Sequence, residues 1–89
     1  MLRMIIVDDE KIIRETICKI VDWDAMGIQI IGLCKNGLEA YDMILDEYPD
    51  IVLTDVQMPI MNGIDLAHTL NERYDWIQVM FLTGHDEFH

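Results

Sequence analysis

Ile51-Val52-Leu53-Thr54-Asp55 is a short apolar and β-branched run that ends on an acid. Pro49-Asp50 precedes it, and the loop signals Met58-Pro59 and Asn62-Gly63 follow it. Ile51 to Thr54 therefore reads as a strand buried on both faces, running straight into Asp55. Met4-Ile5-Ile6-Val7 is a second run of the same kind, and it too ends on acids, Asp8-Asp9-Glu10.

Between these runs the hydrophobic period changes. Ile12, Ile13, Thr16, Ile17, Ile20 and Val21 share one face of a helix. Trp23 to Gly27 reads as a turn and Ile28 to Cys34 as another strand. Asn36 is a good N-cap with Glu39 as its capping-box partner. The helix it opens points Ala40, Tyr41, Ile44, Leu45 and Tyr48 inward, and Pro49 ends it. The loop runs from Val56 to Gly63, and Asn62 caps a third helix from about Ile64 to Tyr74. Ile77 to Leu82 is a fourth strand, and Thr83-Gly84 and a polar tail follow.

The order is thus βαβαβαβ. Helical crossovers predict parallel strands with right-handed connections. The fold class is α/β, a flavodoxin-like doubly wound parallel sheet with strand order 2-1-3-4. Such sheets bind ligands beyond the carboxyl ends of the strands, where the strand order reverses.

The acids fall at that point. Asp8 and Asp9 follow the first strand, Asp55 follows the third, and those strands are neighbours in this order. Taken singly, Asp8 or Asp9 reads as a helix cap and Asp55 as a turn aspartate. Taken together, three carboxylates converge on one cleft, where they repel unless a counter-charge is present. A hard dication supplies it, and Mg²⁺ suits one or two carboxylates, several waters and a phosphate oxygen. Thr83 ends the fourth strand on the same rim. Its hydroxyl is either a donor to a phosphoryl oxygen or simply a β-favouring residue at a strand end.

Composition narrows the function. The chain has 89 residues, enough for one domain, with 52% hydrophobic and 26% charged residues. No stretch approaches the ~20 apolar residues of a membrane span. The opening residues lack the pattern of a signal peptide, so a cytoplasmic location is expected. Seventeen acidic residues against six basic give a net charge of −11. This segment is therefore not expected to touch nucleic-acid phosphates itself. Cys18 and Cys34 match no zinc or CxxC spacing and are expected as buried free thiols, and His68, His85 and His89 lack metal-ligand spacing.

Several stretches, in order, resemble the response-regulator receiver signature of two-component systems. They are Val7 to Glu10, Asn36 to Ala40, Pro49 to Pro59, Met61-Asn62-Gly63 and Leu82-Thr83-Gly84. The stretch from Asp50 to Gly63 is the most specific of them. The Asp22-Trp23 turn with Gly27, and Gly84-His85-Asp86-Glu87-Phe88, resemble the subgroup whose receivers precede an AraC-type helix-turn-helix domain.

The resemblance implies roles. Asp55 would be the phosphoacceptor for a sensor histidine kinase. Asp9 would bind Mg²⁺ directly, Asp8 mostly through water, and the backbone carbonyl of Gln57 would be a further ligand. Thr83 would hold the phosphoryl group, and Met58-Pro59 and Gly63 would shape the adjoining loop. DNA would be reached only through a C-terminal domain absent here. The chain is expected to be no enzyme beyond catalysing its own aspartyl phosphorylation and dephosphorylation.

Family members continue with a helix, a fifth strand ending in a lysine, and a last helix. Residues 1–89 are therefore expected to be the N-terminal part of a receiver, truncated at the C-terminal end. Lys11, Lys19 and Lys35 do not end a fifth strand. Strand four is then expected to be an apolar edge and the first helix to leave apolar surface bare. A homodimer or a swapped assembly is expected to cover that face. The alternative function is a receiver-like interaction or assembly element that is never phosphorylated. Two other classes fit poorly. An aspartate-nucleophile phosphatase needs an acid where Gln57 stands, and a flavin-binding protein would not place an acidic turn against a phosphate.

Overall fold

The computed structural model describes residues 1–56 and 61–82. Its strands are β1 (Leu2–Val7), β2 (Ile28–Cys34), β3 (Ile51–Asp55) and β4 (Gln78–Leu82). Its helices are α1 (Lys11–Ile20), α2 (Gly37–Glu47) and α3 (Gly63–Arg73), with a 3-10 turn at Asp24–Met26. The strands form one parallel sheet in the order β2-β1-β3-β4. The expected layout and strand order are therefore present. The boundaries differ slightly: β1 starts at Leu2, α3 at Gly63 and β4 at Gln78.

Alternation along the two central strands divides the sheet between two cores. Ile5, Val7 and Val52 face α2 and α3, where they meet Ala40, Ile44, Leu66 and Leu70. Met4, Ile6, Ile51 and Leu53 face α1 and pack with Ile17. Both central strands are thus covered on both faces, which is why they read as unbroken apolar runs.

β2 departs from simple alternation. Met4 pairs with Ile30 but Ile5 pairs with Gly32, so Ile31 is an extra residue, a bulge. Ile28 and Ile30 pack on the α1 side, whereas Cys34 lies in the other core. Cys34 is a buried free thiol, as expected. Burial, reinforced by the charge of Glu39 and opposed by Arg14, pushes its pKa up to about 12. Cys18, in contrast, is only half-buried.

α1 shows two adjacent stripes spaced by four residues. The stripe Ile13, Ile17 and Val21 turns inward or half-inward. Ile12, Thr16 and Ile20 form the neighbouring stripe and stay exposed, Ile12 at 78% and Ile20 at 73%. The broad apolar face expected from sequence is thus only partly used, because a sheet touches a helix along a narrower line.

α2 also needs a correction. Asn36 caps it as expected, accepting a hydrogen bond from the Glu39 amide at 2.8 Å. The reciprocal bond of the capping box goes instead to the Lys35 amide, at 3.3 Å from Glu39 Oε1. Ala40 and Ile44 are buried, but Leu45 and Tyr48 are exposed. The helix ends one residue before Tyr48, which turns left-handed with φ 50° as the C-cap. That turn carries Tyr48 away from the inward face. Asn62 caps α3 through the Asp65 amide at 2.9 Å.

Two features set the ends of the sheet. At the amino ends, Asp50 joins three strands. Its carboxylate accepts from the Arg3 amide at 2.8 Å, its own amide donates to the Arg3 carbonyl at 2.8 Å, and its carbonyl accepts from Gln78 at 2.9 Å. At the carboxyl ends, Gly63 donates to the Val56 carbonyl at 3.0 Å. A Cβ on Gly63 would lie 2.1 Å from the Asp55 carbonyl oxygen. Only a glycine lets the N-terminus of α3 come so near β3. Gly63→Ala must push backbone against backbone. It should cost about 1–3 kcal/mol, as overpacking does, read as a lower urea midpoint with an unchanged slope.

Candidate functional site

The register of the sheet creates the site. Val7 pairs with Thr54 across β1 and β3. The chains therefore leave the sheet side by side, one through Asp8 and Asp9, the other from Asp55. One carboxylate oxygen from each of Asp8, Asp9 and Asp55 lies within 4.8 Å of the other two. Sequence reasoning named these acids, and the fold brings all of them together. Gln57 and Thr83, also named, lie outside the described residues, as does Met58-Pro59.

The acids differ in surroundings. Asp8 is only 2% exposed, Asp55 is intermediate and Asp9 is exposed. Every backbone polar group of Asp8 is engaged. Its amide donates to the Cys34 carbonyl at 3.0 Å, and its carbonyl accepts from Arg14 Nη1 at 2.6 Å. Its side-chain Oδ1 accepts from the Glu10 amide at 2.8 Å. That last bond is an Asx-type turn, which ties the carboxylate to the main chain of its own loop. Beside it, the buried Thr54 hydroxyl donates to the Asp55 carbonyl at 2.9 Å.

Electrostatics follow from this crowding. The pKa of Asp8 is raised, chiefly by burial. The Glu10 amide opposes the rise, and the charges of Asp55, Asp9 and Glu10 add to it. A carboxylate raised by burial and further by like charges is in a place that a cation would relieve.

The donor set fits magnesium. All of the donors are hard carboxylate oxygens. Mg²⁺ holds ligands at about 2.0–2.1 Å, so oxygens on opposite sides of one ion stand about 4.2 Å apart. A 4.8 Å cluster accommodates direct bonds from one or two carboxylates, with water bridging to the third.

Sequence reasoning missed Arg14. An arginine on an amphipathic helix reads as solvated surface, yet this one bonds the carbonyl of a site residue. A signal was present. Arg14 lies close to the N-terminus of α1, where the helix dipole disfavours a cation. Gly63 had been connected with the loop, but its tight approach to Asp55 becomes visible only in three dimensions.

Comparison with known proteins agrees with this geometry. The model of the response regulator receiver domain matches residues 4–89. The chain is 38% identical over 88 residues to the uncharacterized transcriptional regulatory protein YesN of Bacillus subtilis. That match covers 99% of this chain and 24% of YesN, so the chain spans about a quarter of its relative's length. Among solved structures, it is similar to the REC domain of AraT, a response regulator from Geobacillus stearothermophilus. There the TM-score is 0.89 at 33% identity, over 98% of this chain and 67% of that one. A two component transcriptional regulator AraC from Clostridium phytofermentans also gives 0.89 at 34% identity, over 99% and 68% of the two chains. The acidic cluster, the 2-1-3-4 sheet and these matches agree: the chain belongs to the response regulator receiver domain family, close to the receivers of AraC-type regulators.

Proposed function

We propose that this chain is the phosphoacceptor switch of a two-component pathway, taking a phosphoryl group onto Asp55 from a sensor histidine kinase. The gathering of Asp8, Asp9 and Asp55 within 4.8 Å carries this reading. In the transfer, an Asp55 carboxylate oxygen attacks phosphorus and forms a P–O bond. The P–N bond to the donor imidazole breaks, and its electron pair leaves with the nitrogen, which then takes up a proton. The product is an acyl phosphate.

The protein's own residues supply position more than covalent help. β3 fixes the Asp55 backbone, and the Asx-type turn and β2 fix Asp8 beside it. Asp8 and Asp9 would hold Mg²⁺ together with Asp55 and the Gln57 carbonyl. When bound, the ion would offset the negative charge of nucleophile and phosphoryl group. Thr83 would receive a phosphoryl oxygen. Apart from its own phosphorylation and dephosphorylation the chain would turn over no substrate. We place it in the cytoplasm, where the kinase's phosphodonor domain works. Among the described residues, no helix is long and apolar enough to cross a membrane. In the longer protein, a DNA-binding domain would turn the switch into control of transcription.

A second property rests on the surface. β4 pairs with β3 on one side and is the last strand of the sheet among the described residues. Its Met80 and Phe81 are 49% and 41% exposed, and Ile12 and Ile20 of α1 are also exposed. An apolar edge of this kind favours pairing with a second copy, as a homodimer or by exchange of elements. The same edge would serve the alternative function, an assembly element without phosphorylation.

Incubation with acetyl phosphate and Mg²⁺ should add the mass of one phosphoryl group to the chain, and Asp55→Asn should abolish the gain. An unmodified wild-type chain would favour the assembly reading. Asp8 gives a second expectation. Its folded-state pKa is raised. Its stabilising contribution is therefore complete below the ordinary carboxylate pKa and is lost as pH rises through the raised folded value. At neutral pH without a cation, Asp8→Asn should melt at a higher temperature than wild type. Free Mg²⁺ at ten times its Kd should stabilise the wild type by about 1.4 kcal/mol and the variant by less. On size-exclusion chromatography with light scattering, the chain should run larger than a monomer. A monodisperse monomer would rule out the β4-edge association.

A further inference from the structure

The β1–α1 turn carries two of the three clustered acids, and one side chain from outside the turn reaches back to it. Arg14 Nη1 donates to the Asp8 carbonyl at 2.6 Å. The amide of the same residue donates to the Glu10 carbonyl at 3.2 Å. The amide hydrogen bond is the first i→i−4 bond of α1, which any residue there would make, so it is the side chain of Arg14 that closes the segment Asp8-Asp9-Glu10 from its far side. Inside that closure, the Glu10 amide holds Asp8 Oδ1.

We infer that Arg14 is a positioning residue for cation binding, strapping the Asp8-Asp9-Glu10 turn so that both carboxylates face Asp55. This rests on the reading of the acidic cluster as a Mg²⁺ site.

The local chemistry explains why an arginine is used. The Asp8 carbonyl belongs to a residue with almost no exposure, so it needs a donor from the protein. A guanidinium reaches it along a half-buried stem and donates in a fixed plane. The cation sits near a helix N-terminus, where the dipole works against it. Its bond to the Asp8 carbonyl opposes that effect.

The charge of Arg14 also acts on the site, in the opposite sense. A nearby positive charge repels an incoming dication, so charge alone predicts tighter Mg²⁺ binding once Arg14 is removed. The geometry favours the strap as the larger effect. Among the described residues, none of the ion pairs includes Arg14, so its charge acts on the carboxylates from beyond salt-bridge distance. Its hydrogen bond, in contrast, is direct and short. Loss of such an outer partner typically weakens metal affinity about 10–100-fold.

The test is Mg²⁺ titration by calorimetry of the wild-type chain, Arg14→Met and Arg14→Lys, with amide hydrogen exchange of the metal-free proteins. Arg14→Met should bind Mg²⁺ about tenfold more weakly, and its Glu10 amide should exchange faster. Arg14→Lys keeps the charge and offers a shorter, less directed donor, so its affinity should fall between the other two. If Arg14→Met binds as tightly as wild type, the strap is overturned; if it binds more tightly, the strap is overturned and the charge is the dominant effect. If Arg14→Met does not fold, Arg14→Lys decides: weaker binding at the same charge supports the strap, and equal or tighter binding overturns it. A wild-type chain that binds no Mg²⁺ would remove the metal-site reading itself, and the strap with it. Wild-type binding with unaffected variants would remove the strap alone.

Discussion

Pairing of Val7 with Thr54 in adjacent parallel strands is the constraint on which the rest of the site depends. It forces chemically similar ends to emerge together, and both ends here are acidic. Like charges held within a few ångströms resist assembly, and the protein accepts that cost at one rim of the sheet. The surrounding structure keeps the acids in place despite the repulsion. β2 takes the Asp8 amide, Arg14 takes its carbonyl and the Glu10 amide takes its carboxylate. On the other side, Thr54 bonds the Asp55 carbonyl from within the buried core.

The two cores make that arrangement firm. Because β1 and β3 are covered on both faces, a shift of register by one residue would exchange the occupants of both cores at once. Asp50 adds a polar tie at the opposite end, binding β1 and β4 to β3. The position of Asp55 relative to Asp8 is thus set by packing along the whole length of both strands. A site built this way is organised before any ligand arrives, which suits chemistry that depends on position and charge.

Much of this was legible in the chain itself. The apolar runs Met4–Val7 and Ile51–Thr54, with helical periods between them, imply parallel neighbours, and the acids directly after each run imply a shared cleft. What escaped reading depends on contacts between elements. The extra residue Ile31 leaves no mark in a uniformly apolar stretch, yet it moves Cys34 into the opposite core from Ile28 and Ile30. Ile12 and Ile20 look as apolar as Ile13 and Ile17, and only the position of α1 on the sheet separates them. Tyr48 fits the inward period of α2, but the helix ends before it and the left-handed cap turns it out. Arg14 resembles any other surface cation until the Asp8 carbonyl is seen beside it.

The contact between Gly63 and Asp55 has a mechanical consequence. The first residue of α3 rests on the main-chain oxygen of Asp55, and the Gly63 amide is bonded to the next carbonyl. No pliable side chain stands between them to absorb movement. Any displacement of the Asp55 peptide group is therefore passed to the start of α3 as a push on a rigid rod. A little further out, Gly37 at the start of α2 packs against Met61, where an added Cβ would lie 2.5 Å from the carbonyl oxygen, and its amide donates to that oxygen at 3.2 Å. Gly63 thus bears on the acidic cleft through backbone alone, whereas Gly37 meets the Met61 side chain as well. The Gly63 contact is therefore the direct mechanical link between the acidic cleft and a helix.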